Sequence, residues 1–137
     1  MNNTSPQEDQ QFISVDNTKT ADSDKLIEVI TDAMLDRKAE DITVLDVHAL
    51  TTLTDKFVVC HASTDVQIKA IANNVVKETR ERLGEKPWKE EGLESRRWVI
   101  LDYVNVVVHI FKEELREYYG LERMWNDAPV QKIQDNS

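Results

Sequence analysis

Apolar residues at Leu26, Ile27, Ile30, Ala33 and Met34 fall at the three-and-four spacing that lines one face of a helix. Ser23 or Asp24 supplies an N-cap just ahead of them, so a first helix of about three turns is expected. The period then shortens. Ile42, Val44, Leu45 and Val47 make residues 41–47 rich in β-formers, and after the polar loop Thr51-Thr52-Leu53-Thr54-Asp55 the run Phe57-Val58-Val59-Cys60 is apolar without a break. Two strands are expected, the second central to a sheet. Thr64-Asp65-Val66-Gln67 is a capping box, and Ile68, Ile71, Ala72, Val75, Thr79 and Leu83 return to helical spacing before Gly84 stops the helix. Pro87-Trp88-Lys89 reads as a short edge strand. Residues 97–103 and 106–111 read as strands joined by a tight turn at Val104-Asn105, and residues 115–119 as a short last helix.

Neither face of such a sheet can be left apolar and bare, so this order predicts one α/β (α+β) domain with a mixed sheet of roughly five strands flanked by helices. The domain is expected over residues 22–128. Residues 1–21 read as a disordered acidic and polar tail, and residues 129–137 as a polar C-terminal tail.

Composition narrows the class of partner. With 26 acids against 17 bases the net charge is −9, and removing the −4 carried by residues 1–24 leaves the folded part at −5. Phosphate backbones and anionic membranes repel such a chain, so little direct RNA contact is expected and a basic protein is the better partner. Cys60 is the single cysteine and cannot pair internally, which suits a reducing compartment. No stretch approaches the roughly 20 apolar residues that cross a bilayer, and the first thirty residues lack a basic start followed by an apolar run. A cytoplasmic protein is expected, or a stromal one if organellar.

Candidate chemistry is sparse. Gly84, Gly92 and Gly120 are the only glycines, too few and too scattered for a GxxxxGK or GxGxxG phosphate loop. His48, His61 and His109 show no HExxH or paired-cysteine spacing, and Cys60-His61 points its side chains to opposite faces of a strand; no metal or cofactor is expected. Ser63, His109 and Asp102 lack a GxSxG context. Asp46 and Asp102, both on strands, could hold magnesium for nucleotidyl transfer, against the plainer reading of two solvated strand-end acids. Alternation places Trp98, Ile100 and Asp102 on one face and Val99, Leu101 and Tyr103 on the other. Trp98 and Tyr103 suit core packing and interface anchoring about equally. Trp125 either covers the sheet edge or meets a partner, packing being the expected role.

Taken in order, Asp36-Arg37-Lys38-Ala39-Glu40-Asp41-Ile42, Leu53-Thr54-Asp55-Lys56-Phe57-Val58-Val59-Cys60, Gln67-Ile68-Lys69-Ala70-Ile71-Ala72, Glu91-Gly92, Trp98-Val99-Ile100-Leu101-Asp102-Tyr103, Val107-Val108-His109-Ile110-Phe111 and Tyr119-Gly120-Leu121-Glu122-Arg123-Met124-Trp125-Asn126-Asp127-Ala128 resemble the ribosomal silencing factor family, also called iojap-like proteins. The resemblance runs from about Leu26 to Ala128. It departs at Val104-Asn105, where the family commonly has Gly-Asp, and at His61-Ala62, where Ser-Gly is usual. Valine resists positive φ, which puts the usual primed turn in doubt.

The resemblance implies a fold related to nucleotidyltransferases without their catalytic motif, no enzymatic activity, and binding to the large ribosomal subunit through its universal fourteenth protein (L14). Docking there would block the small subunit and repress translation when nutrients are scarce. By carry-over, Trp98, Leu101, Asp102 and Tyr103 are the partner-binding candidates, with Tyr103→Ala or Asp102→Arg expected to abolish binding and leave the fold intact. A homodimer of the free protein is compatible with this reading, and a nucleotide-binding or nucleotidyltransferase-like enzyme using Asp46 and Asp102 is the alternative.

Overall fold

A computed structural model describes residues 22–134; the N-terminal tail and residues 135–137 lie outside the described residues. Helix α1, residues 22–36, buries Leu26, Ile30, Ala33 and Met34 as the spacing predicts, together with Val29, while Ile27 is only partly buried. Strand β1 (Glu40–Asp46) follows, its start kinked by a register shift between Glu40 and Thr43 where Asp41 takes φ 50°. Strand β2 (Lys56–Ala62) leads to helix α2 (Asp65–Leu83). The Thr64 hydroxyl accepts from the Gln67 amide, and Gly84 closes the helix in the left-handed conformation at φ 67°, so the start and stop signals legible in the sequence both act as caps.

Strands β3 (Lys89–Glu91), β4 (Trp98–Asp102) and β5 (Val106–Lys112) come next, then helices α3 (Glu113–Tyr119) and α4 (Leu121–Met124), and last strand β6 (Val130–Lys132). The sheet order is β3-β4-β5-β2-β1-β6. Only β2 and β5 run parallel, because the long α2 crossover separates them; the other neighbours are antiparallel. The single mixed α/β domain expected from the pattern is therefore present, with six strands among the described residues rather than five. The sixth comes from the polar stretch after Pro129, where Val130–Lys132 pairs with β1 although all three side chains are exposed. Backbone pairing needs no apolar alternation, so hydropathy could not reveal it.

The sheet has two different faces. On one, Val44, Val58, Cys60, Val99, Leu101, Tyr103, Val108 and Ile110 join Ile68, Ile71 and Val75 of α2 and the buried stripe of α1 in the main core. Burying each such aliphatic side chain contributes about 1.5–3 kcal/mol, so this two-helix layer dominates stability. On the other, Leu45, Phe57, Val59 and Phe111 are covered by Leu121, Ala128, Tyr119 and Trp125 from the much smaller α3–α4 layer. On the β3-β4 side that layer touches Trp98 through Tyr119.

The turn between β4 and β5 is where valine stands in place of glycine. Val104 adopts φ 74°, and the Asn105 amide donates to the Tyr103 carbonyl at 2.9 Å, which is a γ-turn rather than a primed β-turn. The Asp102 carboxylate accepts from the Val104 amide at 2.7 Å, and the Tyr103 amide donates to the Val106 carbonyl at 2.8 Å. These bonds hold a β-branched residue in a conformation costing about 1–3 kcal/mol.

Candidate functional site: a half-covered aromatic face

Register decides which side chains share the uncovered region. Trp98 lies opposite Phe111, Ile100 opposite His109, and Asp102 opposite Val107, so these six residues project from the face away from α1 and α2. Trp98, Ile100, Asp102 and Val107 are partly buried and keep an outer edge accessible, while His109 and Phe111 form the floor beneath them. The Trp98 ring lies 4.9 Å from Phe111 and 4.9 Å from Tyr119, and its Nε1 donates to His109 Nδ1 at 3.0 Å. The result is an aromatic and aliphatic strip, ending in the Asp102 carboxylate, along the margin of the α3–α4 layer.

Leu101 and Tyr103 are not part of it. Leu101 is fully buried and Tyr103 is 7% exposed, both on the helix-covered face. The Tyr103 hydroxyl pairs with Thr79 of α2 at 2.9 Å, and burial pushes it up to about 12. Neither can touch a partner across the sheet, and Tyr103→Ala would remove a core aromatic at a cost of about 3–5 kcal/mol rather than leave the fold intact. Strict alternation along β4 separates them from Trp98 and Asp102.

His109 is unusual for a core residue. Because Nδ1 accepts from Trp98, a neutral imidazole carries its proton on Nε2, and that buried atom has no hydrogen-bond partner among the described residues. Phe57 stands nearly perpendicular to the imidazole at 4.9 Å. One hydrogen bond contributes about 0.5–1.5 kcal/mol net, whereas an unsatisfied buried donor costs about 1–3 kcal/mol. An aliphatic side chain would thus stabilise the floor at least as well.

Burial also pushes His109 down to about 3 from its ordinary 6.5. The unfolded chain takes up a proton near pH 6.5 that the folded chain refuses, so this contribution is complete above pH 6.5 and is lost as pH falls toward 3. Urea denaturation of the wild type should lose about 2 kcal/mol between pH 7.5 and 5 through this residue. His109→Leu should lack that component; an unchanged slope would mean His109 is not the group responsible.

The α3–α4 layer is fastened by Arg116, only 8% exposed. Its Nε and Nη2 donate to the two Glu122 oxygens at 2.9 Å each, Nη2 also reaches the Thr43 hydroxyl, and Nη1 meets the Asp41 carbonyl and His61 Nδ1. One guanidinium thereby ties α3 to α4, β1 and β2, and so places Tyr119 and Trp125 at the edge of the open strip. Its hydrogen bonds and charge hold the Glu122 carboxyl below the usual range, against a smaller opposing effect of burial. Nothing in the Glu114-Leu115-Arg116 context marks this arginine as buried, and sequence reading passed over it.

The catalytic pairings considered from the sequence are not brought together among the described residues. Asp46 projects from the helix-covered side of β1 toward Lys56, with 3.9 Å between charged atoms, whereas Asp102 projects from the opposite face of β4, with β2 and β5 between. Three strand spacings make that about 14 Å, too far for two acids to share a cation. Ser63 lies past the end of β2, about four residues or 13 Å along the sheet from the level of His109, whose Nδ1 is already taken. Burial pushes the Cys60 thiol up to about 12, which leaves it inert. Glu40, His61 and Glu113 bring possible ligand atoms within 4.8 Å of one another. His61 Nδ1 faces Arg116, so its Nε2 holds the proton and has no lone pair to offer a metal.

Residues 20–137 match the sequence profile described as "Ribosomal silencing factor during starvation". The chain belongs to the ribosomal silencing factor family. The ribosomal silencing factor of Bacillus subtilis is 38% identical over 105 residues, covering 77% of this chain and 88% of the relative. A crystal structure of a Chromobacterium violaceum protein superposes with a TM-score of 0.73 at 32% identity, covering 83% of this chain and 89% of that one. A Bacillus halodurans structure gives 0.71 at 34% identity, covering 80% and 99%. The fold is thus shared with the silencing factors, a family of regulatory proteins.

Proposed function

We propose that this silencing factor docks on the large ribosomal subunit through the open face of β4 and β5, with L14 as its receptor, and prevents the small subunit from joining. The observation that carries the reading is the strip itself. Trp98, Ile100 and Val107 are partly buried apolar side chains whose accessible edges form a row on a chain of net charge −9, next to the Asp102 carboxylate. A rigid aromatic with a neighbouring carboxylate is what a basic protein surface can receive, and the remaining negative charge keeps RNA from competing for the strip. Trp98 and Asp102 make the direct contacts, joined by Ile100, Val107 and Tyr119. Leu101 and Tyr103 support them from the core.

The mechanism breaks no bond. A specific interface of about 1,600 Å² suffices, and steric exclusion then requires only that the factor exceed its dissociation constant. Such a protein acts in the compartment that holds the ribosomes, cytoplasm or plastid stroma, and needs no cofactor. Self-association of the free protein through its exposed edge strands β3 or β6 is compatible with this and is checked by sedimentation over a concentration series.

The test is co-sedimentation with isolated large and small subunits, followed by addition of the missing subunit. Pelleting with the large subunit alone and suppression of joined ribosomes is the expected result. A protein that binds neither subunit, or that binds the large one and leaves joining untouched, sinks the proposal.

A further inference from the structure

We infer that His109 is a positioning residue for the docking strip, fixing through its Nδ1 the indole orientation that Trp98 presents to a partner. The inference rests on the docking reading above and adds to it the group that sets its central contact.

Three neighbours hold the indole, and they do different things. Phe111 and Tyr119 lie at 4.9 Å with interplanar tilts of 30° and 40°. Offset aromatic contacts of this kind tolerate sliding and a turn about the ring axis. The hydrogen bond from Trp98 Nε1 to His109 Nδ1 at 3.0 Å is directional and admits only one of the two flipped ring orientations. A side chain ordered before docking carries a smaller entropic cost at the moment of association. The buried, partnerless Nε2 is consistent with the same role, since a residue chosen for packing alone would not bring that atom into the floor. Burial keeps the imidazole neutral, so the accepting lone pair is present across the working pH range.

A merely structural role and a positioning role give different results. His109→Leu removes the acceptor without leaving a buried donor, and the folded variant should denature at a urea concentration no lower than wild type at pH 7.5. It should nonetheless bind large subunits about tenfold more weakly. His109→Asn, whose Oδ1 falls where Nδ1 stood, should stay within about threefold of wild type. Added to Trp98→Phe, which has no indole nitrogen to orient, His109→Leu should weaken binding by less than about twofold further. Equal losses in the two backgrounds, or a leucine variant that binds as wild type does, overturn the inference. Should His109→Leu fail to fold, His109→Met removes the acceptor with a more adaptable side chain and is read by the same two arms. A wild-type chain that binds no large subunit overturns the docking reading and this inference with it. A wild type that binds, with losses indifferent to Trp98, overturns the inference alone.

Discussion

Trp98→Ala should lower affinity for the large subunit by about a hundredfold, corresponding to roughly 2.7 kcal/mol, the scale of a buried aromatic anchor at an interface centre. The fold should survive. Trp98 is partly buried and its loss uncovers parts of Phe111 and Tyr119, but the main core lies on the opposite face, where Val99 and Leu101 of the same strand stay fully buried. Binding measured by co-sedimentation, beside the circular dichroism spectrum of the variant, separates the two effects. A folded Trp98→Ala protein with wild-type affinity removes the strip from the interface. Asp102→Arg is a less clean probe, because the same carboxylate holds the strained amide of Val104.

Glu122→Ala should cost about 3 kcal/mol of stability and lower the melting temperature by about 10 °C, the largest effect expected from a residue outside the main core. The reason is what it leaves behind. Arg116 is 8% exposed and gives two of its strongest bonds to Glu122; without them a buried guanidinium keeps the Asp41 and His61 contacts, the Thr43 hydroxyl, and an Asp41 carboxylate at 3.8 Å. Glu122→Gln retains an acceptor and should cost about 1 kcal/mol. Replacing Arg116 and Glu122 together by leucine should recover most of the loss, since no charge is then stranded. Thermal melts of the single and double variants check this; a double variant as unstable as Glu122→Ala would show that shape, not charge, holds the layer. Because Arg116 positions α3 and α4, Glu122→Ala should also weaken docking by loosening Tyr119 and Trp125 at the strip's margin.

Much of the architecture was legible along the chain. The N-cap at Thr64 and the stop at Gly84 bounded α2, because capping is a local matter of one hydroxyl and one left-handed backbone position. The unbroken apolar run at Phe57 announced a central strand because both faces of β2 are buried. Strand β6 escaped notice, since an edge strand whose side chains all face solvent is specified by its partner's free hydrogen-bonding groups and not by its own hydropathy. The turn at Val104 was flagged as unfit for a primed geometry; the γ-turn that replaces it depends on the Asp102 carboxylate folding back on its own chain.

The class of fold, the caps, the acidic charge, the lack of phosphate-binding glycine loops and a family resemblance that the comparisons bear out are legible along the chain. These follow from local propensity, periodicity and composition, which need no partner elsewhere in the chain. Only the tertiary structure decided that Asp46 and Asp102 stand on opposite faces, that Tyr103 is core while Trp98 is surface, and that His109 and Arg116 hold the strip and its margin in place. Each of those depends on strand order and on which face the small α3–α4 layer leaves uncovered, and both are set by contacts between residues far apart in the chain.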